Sequence, residues 1–382
     1  MLHVVIMAGG SGTRFWPASR RDFPKQFLTF GGTRSLIQQA FDRIADLTTP
    51  EHVWVVTNRR YGALTRSQLP EVSPDHILEE PCGRNTAPCI GWAASRIAAV
   101  DPEATLLVMP ADHVIAPVER FRDCVREALA WIDRHPEASV LFGARPTFPA
   151  TGYGYIERGE RADSSARLEQ VPSFREKPDL ATATRFLATG RFLWNCGIFV
   201  WRAAHVLDLL TRFEPQLASD LARFVEASQR TAPRVPLLAC PAVPSPDSGC
   251  EPKPPPEKNT TADEQFAALK AISIDHAVME RAENVYVLPA TYDWDDVGSW
   301  QALARLHGTD SNGNTIIGRH AGVATRDCII QSEPGHLVAT FGVTNCIIVQ
   351  TPQATLIARK DDESALRQLV QYLETHGYDE FL

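Results

Sequence analysis

An α/β fold is predicted: a mostly parallel sheet flanked by helices, with a small all-β module toward the C-terminal end. Short β-branched runs alternate with helical patterns over the first half of the chain. That rhythm suits strands buried on both faces and joined by crossover helices. The runs after Asn312-Gly313-Asn314 are instead β-rich, closely spaced and separated by Gly, Asn, Pro and Asp, the pattern of a compact β unit.

In order, strands are expected at His3–Ala8, His52–Thr57, His76–Leu78, Thr105–Met109 and Ser139–Gly143. Helices are expected over Ser35–Leu47, Arg59–Leu69, Thr86–Val100 and Phe121–Arg134, where the patterning is helical. Tyr153–Arg158 and Arg167–Phe174 read as further strands, followed by a helix at Leu180–Ala188, a strand at Cys196–Trp201 and more helix. Residues 232–258 hold nine of the 28 prolines. Such a composition does not pack a core and reads as a mobile surface insertion. Order resumes with a helix near Ile274–Ala282 and a strand at Val285–Leu288. The β module has runs at Ile316–Ile317, Cys328–Ile330, Leu337–Ala339, Cys346–Val349 and Leu356–Ala358, closed by an amphipathic helix at Glu363–Glu374. Two domains are therefore expected, 1–308 and 309–382.

The length of 382 residues suits two domains, and 44% hydrophobic with 22% charged residues suits a globular protein with a sizeable core. A net charge of −8 argues against nucleic acid or anionic membrane as bulk partners. It leaves room for an anionic small substrate, because local Lys and Arg can oppose the global sign. No apolar run is long enough to span a bilayer, and no basic segment precedes the apolar opening, so a cytoplasmic protein is expected. Eight cysteines are scattered without a C-x-x-C pair; they read as reduced packing residues rather than a disulfide or zinc framework.

Directly after the first strand stands Ala8-Gly9-Gly10-Ser11-Gly12-Thr13-Arg14. Glycines there let backbone amides approach an oxyanion closely. A dinucleotide fingerprint fails because Phe15 takes the place of the third glycine, and a P-loop fails for want of a Gly-Lys-Ser/Thr ending. A plain flexible turn remains open on these residues alone. Arg14 adds a bidentate phosphate donor inside the loop. Downstream, Phe23-Pro24-Lys25-Gln26-Phe27 sets a lone lysine on a chain stiffened by proline, a suitable point charge for a polyphosphate.

Together, Gly9 to Pro17 and Phe23 to Phe27 closely resemble the signature of nucleotidyltransferases that join a sugar 1-phosphate to a nucleoside triphosphate. The Pro-Lys-Gln-Phe form is similar to that of mannose-1-phosphate guanylyltransferases. The resemblance implies a Rossmann-like mixed sheet of the nucleotidyltransferase fold with a β-helix-like C-terminal module, often used in self-association, so a homodimer is expected by analogy. The chain stops soon after that module, so no cupin-type isomerase domain or isomerase activity is expected.

Further segments match in family order. Glu79-Glu80-Pro81-Cys82-Gly83-Arg84-Asn85-Thr86-Ala87-Pro88 resembles the nucleobase and triphosphate segment, with Asn85 a natural helix N-cap and Glu80 able to accept from guanine N1–H and N2–H. Asp112 follows the Thr105–Met109 strand, at the carboxyl edge where α/β sheets bind ligands. The family's Asp-x-Gly pattern maps onto Asp296, with Asp295 its most confusable neighbour; the resemblance implies that Asp112 and Asp296 hold Mg²⁺. Around the sugar phosphate it implies Gly154, Glu176, Lys177 and Asn195. The expected nucleotide contacts are Ala8, Gly9, Gly10, Ser11, Gly12, Thr13, Glu80, Gly83, Asn85 and Thr86, with Arg14, Lys25, Asp112 and Asp296 as the catalytic set.

The implied reaction is GTP plus α-D-mannose 1-phosphate giving GDP-mannose and pyrophosphate. Two alternatives stand beside it: the same chemistry on another hexose or heptose 1-phosphate or another NTP, and a non-catalytic nucleotide-sugar sensor on the same scaffold. A sensor would be expected to lose Arg14, Lys25, Asp112 or Asp296, and all four are present.

Overall fold

The computed structural model describes residues 1–10, 12–30, 32–163, 166–231, 261–361 and 363–382. A mixed, mostly parallel sheet forms the centre. β1 (Leu2–Ala8) lies between β2 (Val53–Asn58) and β4 (Thr105–Pro110), parallel to both, and β3 (Ile77–Glu80) extends the β2 side. Beyond β4 the long strand Phe192–Arg202 runs antiparallel, followed by Ser139–Ala144 and Val285–Pro289. The chain leaves β1 toward β2 and β3, then returns on the other side as β4. That makes the β1/β4 carboxyl ends a topological switch point, where a ligand crevice opens.

The alternation of β1 splits the hydrophobic core. Val4 and Ile6 face one layer with Ile37 and Ala40 of the helix Leu36–Arg43 and Phe121 and Val125 of the helix Val118–Arg134. Val5 faces the opposite layer with Ile90, Ala94 and Ile97 of the helix Thr86–Ala98. Ser35 starts the helix Leu36–Arg43 with a capping box, its hydroxyl accepting from the Gln38 amide while Gln38 reaches back to the Ser35 amide.

The C-terminal residues coil in short strands. Thr315–Ile317, Ile329–Gln331 and Cys346–Gln350 stack in parallel, Thr355–Arg359 closes that sheet antiparallel, and Arg319–Val323 pairs with Leu337–Phe341 on a second face. A third core joins this module to the amino-terminal loop: Phe15, Trp16, Phe30 and Trp300 pack with Ile329, Ile347, Leu356 and Leu382. Polar contacts reinforce it, with the Trp16 indole donating to the Phe381 carbonyl at 2.7 Å and Arg20 to Gln353 at 2.7 Å.

The expected fold class is the one observed. The expected strand Arg167–Phe174 divides into Glu169–Gln170 and Phe174–Arg175, because Pro172 between them has no amide to donate. The helix expected from Phe121 starts at Val118, and that expected near Ile274–Ala282 is a single wide turn, Asp275–Met279. Four of the described cysteines, at 89, 124, 196 and 328, are buried and all are unpaired. Residues 232–258, with Cys240 and Cys250, and Ser11 lie outside the described residues.

Candidate active site

The glycine loop turns at the end of β1, and its geometry explains the spacing to Lys25. Gly12 has φ +60°, and a Cβ there would stand 2.5 Å from the Lys25 amide nitrogen. Only glycine lets the loop lie this close to the Pro24-Lys25 segment. Ser19 Oγ donates to the Gly12 carbonyl at 2.6 Å, and Gln26 Nε2 to the Ala8 carbonyl at 2.9 Å, tying the two segments together. Thr13 opens a 3-10 turn, Thr13–Phe15, in which Phe15 is buried and Arg14 exposed.

Lys25 is 6% exposed, and its ammonium donates to Asp112 Oδ2 at 2.8 Å and to the Asp296 main-chain carbonyl at 2.5 Å. A short antiparallel ribbon brings the two acidic segments together: Val114–Ala116, just after Asp112, pairs with Asp293–Asp295, just before Asp296. Burial disfavours the Asp112 charge, but the Lys25 ammonium and His113 outweigh it and hold the carboxyl below its ordinary range.

Neighbours fix the directions of both carboxylates. Asp295 is gripped by the Arg305 guanidinium at 2.5 and 3.0 Å and accepts from the Val297 amide at 2.8 Å. Val297 is buried with φ +47°, an uncommon conformation for a β-branched residue, so the turn is held by its surroundings. Asp296 instead accepts from the Tyr153 hydroxyl at 2.6 Å. Burial, then the Asp296 charge, push the Tyr153 hydroxyl up, so it remains a donor. The Trp294 indole donates to His113 Nδ1 at 3.1 Å. An indole can only donate, so a neutral His113 carries its proton on Nε2, which faces Asp112 Oδ1 at 3.8 Å. Beneath the loop, buried Arg43 donates to the His113 carbonyl at 2.9 Å; burial lowers its guanidinium to about 10, still cationic at neutral pH.

On the Asp296 side, a cavity of about 240 Å³ is lined by Tyr153, Gly154, Glu176, Lys177, Asn195, Asp275 and Asp296. Asn195 donates to Asp275 Oδ1 at 2.9 Å and accepts from the Gly197 amide at 3.0 Å, which fixes its amide and leaves one N–H free. Lys177 donates to Glu176 at 2.7 Å. A Cβ on Gly154 would stand 2.6 Å from Glu176 Oε2, so this glycine makes room for that carboxylate. Burial, reinforced by the Glu176 charge, raises Asp275 to about 7. A larger cavity, about 810 Å³, adjoins this one and takes Arg14, Tyr153, Lys177, Asp296, Arg305 and Arg367 in its walls.

Glu80 stands at the other end of the glycine loop, where a Cβ on Gly9 would be 3.6 Å from Glu80 Oε2. It is 5% exposed, its Oε1 has no partner among the described residues, and burial raises it to about 7. Asn85, with φ +69°, caps the helix Thr86–Ala98 through the Thr86 amide at 2.8 Å, and Thr86 Oγ1 accepts from the Ile274 amide at 2.8 Å. Gly83 has open space on its side-chain face. Glu79 is committed elsewhere, to Arg66.

The structure thus gathers Lys25, Asp112 and Asp296 at one point, sets Arg14, Gly154, Glu176, Lys177 and Asn195 around the adjoining cavities, and leaves Glu80 beside Gly9. Sequence reasoning missed Asp275, Tyr153, His113, Arg305 and Arg367. Of these, His113 directly follows Asp112 and Tyr153 opens an expected strand, while Asp275 carried no signal beyond lying at the start of an expected helix. For Mg²⁺ the donor set fits: Asp112 and Asp296 offer hard oxygens, and their segments already hold one cation, the Lys25 ammonium, between them. Among the described residues no group of three or more His, Cys, Asp or Glu gathers as a cage.

A glycine loop at the switch point of such a sheet, with two acidic segments beside it, is an arrangement suited to a nucleotide's phosphates. The family described as nucleotidyl transferase matches residues 3–313, and the MannoseP isomerase/GMP-like beta-helix domain matches residues 318–373. The chain is 35% identical over 379 residues to the Xanthan biosynthesis protein XanB of Xanthomonas campestris pv. campestris (strain B100), covering 98% of this chain and 74% of XanB. It is 35% identical to the mannose-1-phosphate guanylyltransferase of Klebsiella pneumoniae, covering 100% of this chain and 76% of the relative. A solved structure from Thermus thermophilus, described as a mannose-1-phosphate geranyltransferase, superposes with a TM-score of 0.82 at 31% identity, covering 98% of this chain and 99% of that one. The chain belongs to the mannose-1-phosphate guanylyltransferase family of nucleotidyltransferases.

Proposed function

We propose that the chain transfers GMP from GTP to α-D-mannose 1-phosphate, giving GDP-mannose and pyrophosphate. The observation that carries the reading is the Lys25 ammonium, buried and shared by the Asp112 carboxylate and the Asp296 carbonyl beside the cavities. Relatives named mannose-1-phosphate guanylyltransferase, in Klebsiella pneumoniae and Escherichia coli, support the choice of substrates.

A phosphate oxygen of the sugar attacks the α-phosphorus of GTP in line. The bond from that phosphorus to the β-bridging oxygen breaks, and pyrophosphate leaves with the electron pair. The nucleophile is already an anion at neutral pH, so no general base is needed. Two anions must meet, and charge neutralisation with positioning carries the rate. Asp112 and Asp296 would hold Mg²⁺, which when bound would neutralise charge on the α-phosphate and the incoming phosphate.

Lys25 lies against the triphosphate or the transferred phosphoryl, and Arg14 holds the leaving pyrophosphate. Backbone amides of Ala8, Gly9, Gly10, Gly12 and Thr13 cradle the phosphates. Glu80 accepts from guanine N1–H and N2–H, next to Gly83, Asn85 and Thr86. Glu176, Asn195 and Asp275 meet the sugar hydroxyls, Gly154 gives Glu176 its place, and Lys177 offsets the sugar phosphate. The testing experiment is a panel of NTPs and sugar 1-phosphates scored by pyrophosphate release, with and without Mg²⁺. GTP with mannose 1-phosphate and Mg²⁺ is expected to lead; faster release with another pair would replace the reading.

A further inference from the structure

Arg367 belongs to the C-terminal helix Glu363–Thr375, far in sequence from every residue assigned above. That helix turns Leu366, Leu369, Val370 and Leu373 onto the core of Phe15, Trp16 and Trp300, the i, i+3, i+4, i+7 spacing of a buried stripe. Arg367 follows Leu366 by one residue and so falls at the margin of the stripe rather than on the opposite face. Arg14 precedes the buried Phe15 by one residue. One hydrophobic core therefore fixes the backbones of both arginines.

Their side chains meet the same space. Arg14 and Arg367 together line a cleft of about 240 Å³ beside Trp300, Ile347 and Leu356, and the cavity of about 810 Å³ that has Asp296 in its wall. Of the other cations of that larger cavity, Lys177 is paired with Glu176 and already assigned to the sugar phosphate, and Arg305 is paired with Asp295. Among the described residues, neither Arg14 nor Arg367 has a side-chain hydrogen bond or ion pair, and both are exposed. Two unpaired guanidinium forks facing one cavity suit a ligand with several anionic oxygens, because each fork can bind two of them at once.

We infer that Arg367 and Arg14 clamp the leaving pyrophosphate, so the C-terminal helix supplies a pyrophosphate-binding residue to the reaction centre. The inference rests on the guanylyltransferase reading for the identity of the leaving group. The test is calorimetric binding of pyrophosphate with Mg²⁺ to the full chain and to Arg367→Gln and Arg367→Lys, with kinetics in both directions. Losing a charge-assisted contact of this kind is expected to weaken pyrophosphate binding, and raise its KM in the reverse reaction, by about tenfold or more in Arg367→Gln. Arg367→Lys recovers part of the loss, while KM for mannose 1-phosphate and the thermal midpoint stay at wild-type values. Unchanged pyrophosphate binding in Arg367→Gln overturns the inference, as does a loss shared equally by the sugar phosphate and the thermal midpoint. A wild-type chain that binds pyrophosphate through Arg367 yet forms no GDP-mannose would overturn the substrate reading and leave the clamp standing.

Discussion

Lys25 and Asp112, 87 residues apart in the chain, are joined by a 2.8 Å hydrogen bond from ammonium to carboxylate. The pair is uneven: the lysine side chain is 8% exposed and the carboxylate 35%. A buried cation thus backs a carboxylate that still reaches solvent. Lys25→Met should leave the carboxylate without its partner and remove a charge aimed at the transferred phosphoryl. Turnover is expected to fall by about 10²–10³, the usual cost of one such electrostatic contact, with the far-UV circular dichroism spectrum retained. Near wild-type turnover in a folded Lys25→Met chain would remove Lys25 from the reaction centre.

Gly12→Ala tests the close approach of the glycine loop to that lysine. A Cβ would collide with the Lys25 backbone while the residue is held at φ +60°. The variant should lose about 1–3 kcal/mol of stability and more turnover than stability, because the Lys25 segment must move away. Denaturant midpoints and initial rates measured on the same preparation separate the two effects; a silent substitution would show that the loop has room to spare.

Glu80 gives a pH signature. Burial raises its carboxyl from 4.5 to about 7, so the folded protein binds a proton that the unfolded chain releases. The associated stability is fully present below about pH 4.5 and is lost as pH rises through about 7, amounting to about 3 kcal/mol at most. Base recognition runs the other way, since only the carboxylate accepts from guanine N1–H and N2–H. GTP affinity should therefore rise between pH 6 and 8, and Glu80→Gln should flatten that rise. Titration calorimetry of GTP at several pH values makes the comparison; an equal slope in both proteins would take Glu80 out of base recognition.

The sugar side has its own readout. Asp275 accepts from Asn195 at 2.9 Å inside the smaller cavity. Asn195→Ala leaves Asp275 buried without that donor and removes a group for the sugar hydroxyls, at about 1–3 kcal/mol. KM for mannose 1-phosphate should rise about tenfold or more while KM for GTP changes little. A loss confined to GTP would place Asn195 on the nucleotide side.

The fold class and the first layer of the site were legible because their signals are local. β1 and β4 announce themselves as short apolar runs, and the glycine loop and Asp112 sit at their ends. Pro24-Lys25 was readable as a motif, though the reason for its distance from Gly12 appears only when the two backbones touch. The ribbon Val114–Ala116 with Asp293–Asp295 was not legible, since three residues per strand leave no alternation to read. Arg319–Val323 was missed for a related reason: its side chains are largely exposed, so no apolar face marks it. Asp275 and Arg367 escaped because each reaches the site through tertiary packing, one from a single wide helical turn and one from the last helix.

Anomalous diffraction from crystals grown with Mn²⁺ in place of Mg²⁺, in the presence of GTP, tests most directly whether Asp112 and Asp296 serve one ion. One peak within ordinary coordination distance of a carboxylate oxygen from each, about 2.0–2.3 Å for a hard divalent ion, is the predicted result. A metal bound to the triphosphate alone, with either aspartate outside its shell, would contradict the account.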